Sequence, residues 1–109
     1  TDEILKAEIN EPPAIIAERV SNARARQQAR QEKNNAELSV KEIEHLCMPD
    51  DAAESLLRAA MNKLQWSARA YHRVLKLART IADLAYDDIV AAPHVAEAIQ
   101  YRRALSAHG

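Results

Sequence analysis

Arg69 is the residue best placed to do chemistry in this chain. It falls in the first turn of a helix that begins at Ser67, where free backbone N–H groups and the helix dipole favour an anion. A guanidinium there can meet a phosphate through two parallel N–H donors. An ordinary exposed arginine satisfies the same periodicity, so position alone leaves both readings open. Arg73 and Lys76 crowd the polar half of the same helix and are candidates for nucleotide or nucleic-acid contact. A second cationic strip, Arg19, Arg26, Arg30 and Lys33, runs along an earlier helix. It reads either as a phosphate-contact strip, for DNA or a neighbour's nucleotide, or as a solvated face partly offset by Glu18 and Glu32. Few aromatics interleave with it, which weighs against stacking on single strands.

Other chemistries lack their residues. The only glycine is Gly109, so neither G-x-x-x-x-G-K-[ST] nor G-x-G-x-x-G can occur, and no phosphate-cradling loop can form. His45, His72, His94 and His108 do not fall into a metal-ligand spacing, and Cys47 has no cysteine partner. Asp50-Asp51 and Asp87-Asp88 read as caps and loop acids rather than an acid/base pair. No nucleophile elbow is present. The chain is therefore not expected to be an enzyme by itself.

Bulk properties bound the rest. A length of 109 residues allows one domain, and 48% hydrophobic residues are enough for a core. Aromatics are 4% and Phe is absent, so that core is built from Ala, Leu, Ile and Val. The net charge of −1 means that any basic site is local. The lone Cys47 fits a reducing compartment and a small buried side chain. No apolar run reaches the roughly 18 residues of a membrane span, and no signal pattern is present. The expected location is cytoplasmic, with no membrane partner.

The elements that must hold these residues are all helical. Ser67–Ala85 (SARAYHRVLKLARTIADLA) separates cleanly at about 100° per residue. Leu84, Leu77, Ala70, Ile81, Val74, Ala85, Ala78, Tyr71, Ala82 and Leu75 share one half. Arg79, His72, Asp83, Lys76, Arg69, Thr80 and Arg73 share the other. The apolar arc, near 180°, exceeds the roughly 100° stripe of a surface helix, which predicts a central helix packed on more than one side. Ser67 is its N-cap, with Trp66 and Tyr71 as a hydrophobic staple.

Residues 1–13 (TDEILKAEINEPP) read as an acidic linker ending in two prolines. A long helix is expected from Ala14 to Lys33, with Ile16, Val20, Ala23 and Gln27 inward and Asn34-Asn35 ending it. Ser39-Val40-Lys41-Glu42 is a capping box for a short helix through Cys47. Asp51–Glu54 opens another, to about Gln65, burying Leu56, Leu57, Ala60, Met61 and Leu64. Pro93 starts a last helix to about Leu105, with Val95, Ala98, Ile99, Tyr101 and Leu105 inward and Ile89 and Val90 tucked beneath the loop before it. Arg102 either snorkels at the helix end or pairs with a carboxylate such as Asp83. The fold class is all-α: a long helix followed by a compact bundle over residues 14–109.

Two stretches carry a family resemblance: Ser67–Ala85 as quoted, and His94–Arg102 (HVAEAIQYR). Both resemble the C-terminal domain of the magnesium-chelatase-like AAA+ ATPases, in particular the ComM/YifB family. Arg19–Gln27 (RVSNARARQ), Asn35–Leu38 (NAEL), Leu57–Leu64 and a variant of the family's Gly-Glu-Ser-Ser at Asn10–Pro13 extend the match over nearly the whole chain.

The resemblance implies the helical lid of an AAA+ module, with 1–13 as the linker from an ATPase core absent from this chain. It implies that Arg69 is the sensor-2 arginine, contacting phosphates of ATP held by that core and coupling hydrolysis to lid motion. ATP and Mg2+ would then belong to the full-length protein, and neither would be bound by this stretch alone. The implied partners are the core and neighbouring subunits of a homo-oligomeric ring, with DNA as a candidate. The implied work is DNA processing, as a branch-migration helicase in natural transformation. The alternatives are a nucleic-acid-binding or protein-interaction module without an ATPase role, and the lid of a true magnesium-chelatase subunit. Where the family usually ends the central helix with Gly, this chain has Tyr86, which must avoid the left-handed conformation or bear a cost of about 1 kcal/mol. Arg79 and Arg102 receive no functional role.

Overall fold

The computed structural model describes residues 13–108, with side chains through Leu105. Five α-helices follow in order: α1 (Pro13–Gln31), α2 (Val40–Leu46), α3 (Asp51–Leu64), α4 (Ala68–Leu84) and α5 (Ala92–His108), with a 3-10 turn at Asn35–Glu37 between α1 and α2. The fold is all-α. Among the described residues the extended pairing is one isolated parallel bridge, Pro49 to Val90. The linker expected over residues 1–13 lies outside the described residues, except that Pro13 opens α1.

Helix α4 is central, packing against α1, α2, α5 and the 3-10 turn, while α3 packs on α5. Its broad apolar arc supplies Ala70, Val74, Leu75, Ala78 and Ala82 to a core shared with Leu38, Ile43, Cys47, Ala53, Leu57, Val90, Val95, Ala98 and Ile99. Trp66 and Tyr71 are half-buried against that core. The clean division into an apolar and a solvated half does not survive. Arg79 and Asp83 are 4% and 0% exposed, because α1 lies across the polar side of α4. They stand at i and i+4, where opposite charges meet.

Local signals act largely where they stand. The Ser67 hydroxyl accepts from the Ala70 amide at 3.2 Å, and Ser39 and Glu42 form a reciprocal capping box. Helix α3 begins at Asp51, as expected, and Asp50 caps it: its carboxylate accepts from the Ala53 amide at 2.9 Å. Asp51 and Glu54 then lie inside the first turn, where the dipole favours acids. Helix α1 ends at Gln31, and Glu32 takes the left-handed position (φ 61°) expected of Asn34-Asn35. Asn34 is extended, and Asn35 is buried because its amide serves the tertiary contact described below.

Of the apolar residues expected inside in the loops and helices after α1, Leu56, Ile89, Tyr101 and Leu105 are on the surface. Val90 is buried, held by the hydrogen bond from the Asp50 amide to its carbonyl at 2.9 Å; Ile89, one residue earlier, is turned outward. Val20, expected inward on α1, is also exposed, whereas Ala23 and Gln27 are buried.

Tyr86 does adopt the left-handed conformation, at φ 62°. The Asp87 amide bonds the Ala82 carbonyl and the Tyr86 amide bonds that of Asp83, the Schellman pattern usually completed by glycine. Contacts from α1 offset the strain. Arg26 donates to the Tyr86 carbonyl at 3.0 Å with its guanidinium 5.8 Å from the ring centroid, and the Asn22 amide reaches the hydroxyl at 3.3 Å.

Candidate functional site

A groove of about 460 Å³ runs between α2 and α4, lined by Leu38, Val40, Ile43, Arg69, His72, Arg73 and Lys76. The capping Ser67 starts α4 immediately before Arg69, so Arg69 sits in the first turn. Arg69, Arg73 and Lys76 follow at i, i+4 and i+7, about 10 Å along one ridge. Arg69 and Arg73 are exposed and Lys76 is half-buried. Their charged groups have no ion-pair or hydrogen-bond partner among the described residues. No carboxylate lines the groove. Glu44 lies 3.6 Å from the His72 imidazole, which meets the Tyr71 ring edge-on at 5.6 Å. Three uncompensated cations against an apolar wall can hold an anion.

The cationic strip along α1 and the turn after it is arranged differently. Arg26 pairs with Asp88 at 3.0 Å, Arg30 with Asp83 at 2.8 Å and Lys33 with Glu42 at 2.8 Å; Arg19 is engaged as well. The strip Arg19, Arg26, Arg30, Lys33 thus contributes to the fold's own electrostatics, and a phosphate would have to compete with carboxylates for it. Lys33 and the Ser39 amide hold the Glu42 carboxyl down at about 2.

The deepest of these pairs belongs to a polar network that sequence reasoning missed. Arg30 reaches both oxygens of Asp83, at 2.8 and 3.0 Å. Asn35 donates to Asp83 at 2.9 Å and to Thr80 at 3.1 Å, and its side-chain oxygen accepts from Arg30 and Gln31. The Gln27 side chain accepts from the Asn35 amide at 2.9 Å. Arg79 lies 3.2 Å from Asp83 and donates to the Asp87 and Asp88 carbonyls at 2.7 and 2.8 Å. Burial pushes the Asp83 carboxyl up, but hydrogen bonds from Arg30 and Asn35 and the charges of Arg79 and Arg30 win, leaving it below its usual value. Burial lowers Arg79, with Arg30 adding repulsion that Asp83 only partly offsets. The i, i+4 spacing of Arg79 and Asp83 was the available signal; nothing local names Arg30 or Asn35 as their partners.

Arg102 does not pair with Asp83, whose oxygens are already occupied. Its guanidinium lies 5.8 Å from the Trp66 ring centroid, and its Nε is buried without a hydrogen-bond partner among the described residues. His94 is structural too. Its Nδ1 accepts from the Ala91 amide at 2.9 Å, which leaves Nε2–H to donate to Asp87 at 2.8 Å. Cys47 is fully buried, and burial pushes its thiol up to about 11 despite the nearby charges of Arg79 and Arg30. Among the described residues, no helix is long and apolar enough to cross a membrane.

Comparison with known proteins gives this geometry a family. The sequence model described as "Magnesium chelatase, subunit ChlI C-terminal" matches residues 10–102. The chain is 47% identical over 92 residues to Competence protein ComM of Haemophilus influenzae. It is 41% and 39% identical over the same length to the uncharacterized proteins YifB of Escherichia coli and Salmonella typhimurium. Each match covers 84% of this chain and 18% of the relative, so the chain spans under a fifth of the curated proteins it resembles. A helical domain of this architecture, matched nearly end to end, belongs to the magnesium chelatase ChlI C-terminal family, as the C-terminal domain of a ComM/YifB-type protein.

Proposed function

We propose that this domain is the lid of an AAA+ ATPase, and that Arg69 reads the phosphates of ATP held by the rest of the protein. The observation that carries this reading is Arg69 itself. It is exposed in the first turn of α4, beside two further unpartnered cations, in a groove that no carboxylate lines. The chain has no internal glycine, so the loop that wraps the triphosphate, together with Mg2+, belongs to the core domain. Membership of the magnesium chelatase family supports that division of labour.

In this reading, α4 is the lever. A phosphate gained or lost at Arg69 moves the lid against the core, with α1 carried along by the Arg30–Asp83 contact. The protein works as a ring in which lid, core and neighbouring subunits meet. Likeness to a competence protein supports DNA processing, including branch migration, over cofactor biosynthesis.

The test is Arg69→Ala in the full-length protein. Because Arg69 is exposed, the fold is retained while ATP turnover falls at least tenfold, about 1.4 kcal/mol in the barrier. Unchanged turnover would remove Arg69 from the site.

A further inference from the structure

Arg69 is one of three unpartnered cations in its groove, and the other two have no assigned task. Arg73 and Lys76 continue the ridge one and two turns on, facing the same space across from Leu38, Val40 and Ile43. Arg26, Arg30, Lys33, Arg58 and Arg79 each meet a carboxylate; these three meet none among the described residues. The ridge is also held in place. The Thr80 hydroxyl donates to the Lys76 carbonyl at 3.0 Å and accepts from the buried Asn35 amide at 3.1 Å, tying this part of α4 to the Asp83 network.

We propose that this groove binds a condensed phosphate chain without the rest of the protein, with Arg73 and Lys76 as the second and third phosphate contacts beside Arg69. The inference rests on reading the groove as phosphate-facing. It departs from the expectation, drawn from the missing glycine loop, that this stretch holds no nucleotide alone. Side-chain donors on a rigid helix replace the backbone cradle, and three positive charges on one ridge suit the several negative charges of a triphosphate. The volume of about 460 Å³ lies in the range of small-ligand sites, roughly 300–1,000 Å³. A nucleic-acid strand would run past the groove onto a molecule whose net charge is −1, with little long-range attraction to hold it.

The test uses the 109-residue chain, which carries its own core, in calorimetric titrations at low salt. The probes are ATP, inorganic tripolyphosphate, adenosine and a single-stranded oligonucleotide. ATP and tripolyphosphate bind and adenosine does not. Arg73→Glu and Lys76→Glu each weaken both phosphate probes at least about tenfold, while Lys63→Glu, at an exposed cation on α3, changes neither. Circular dichroism of the variants establishes that each is folded. Failure of both phosphate probes to bind overturns the proposal. So does an equal loss in Lys63→Glu, which would mean diffuse attraction. Binding of ATP without tripolyphosphate would assign recognition to the base, and tighter binding of the oligonucleotide, lost in the same variants, would make the groove a nucleic-acid surface; either result overturns it. None of these readouts involves turnover, so the Arg69→Ala assay can fail or succeed independently.

Discussion

Arg30 and Asp83, 53 positions apart, are joined by two parallel hydrogen bonds of 2.8 and 3.0 Å with the carboxylate fully buried. This contact fastens the long helix to the central one. A buried carboxylate is tolerable only when its oxygens are satisfied, and here Arg30, Asn35 and Arg79 together surround it. The same contact ties the first described helix to the helix that carries Arg69.

Removing the acid from this network leaves Arg79 charged, buried and unpaired. Asp83→Ala is expected to cost about 3–5 kcal/mol, a large share of a typical domain stability of about 5–15 kcal/mol. The pH dependence follows from the depressed carboxyl. Asp83 releases its proton more readily folded than unfolded, where its value is about 3.9, so its stabilisation is complete well above that value. It is lost as pH falls through about 4 towards the folded value. Urea melts between pH 3 and 7 should show stability falling on the acid side, with a flatter profile in Asp83→Asn. A loss below about 1 kcal/mol in Asp83→Ala, or identical profiles, would contradict the structure.

Tyr86 separates backbone strain from side-chain contact. Tyr86→Gly and Tyr86→Ala both lose the Arg26 and Asn22 contacts to the ring and hydroxyl, but only alanine keeps the left-handed penalty. Ala should therefore be less stable than Gly by about 1 kcal/mol, read from urea midpoints at constant m. Equal midpoints would show that φ at this position is not constrained as described.

Cys47 should resist labelling. With no exposed surface and a thiol pushed up to about 11, almost no reactive thiolate is present at pH 8. A disulfide reagent should modify it in denaturant and leave it untouched in the folded chain over the same interval. Rapid native labelling would contradict its burial.

How much of this was written in the order of residues differs from element to element. The extent of α4, its Ser67 cap and the Ser39 capping box were legible, because each depends on groups no more than about four positions apart. The central place of α4 was legible too, since an arc of apolar residues wider than one partner can cover requires several. Glu32 rather than Asn34-Asn35 takes the left-handed turn after α1, because tertiary contacts override the local preference of asparagine for that conformation. Asn35 is the case in point.

The sequence by itself determined a helical domain with no glycine loop and an arginine at the start of its central helix. It could not determine which of its cations were taken. Arg26, Arg30 and Lys33 read as the same kind of strip as Arg69, Arg73 and Lys76, yet the first three are matched by acids from distant turns and the second three face an open groove. Helical periodicity depends on bonds within one turn. Charge compensation depends on distances across the fold, and only the packing of its elements against one another sets those.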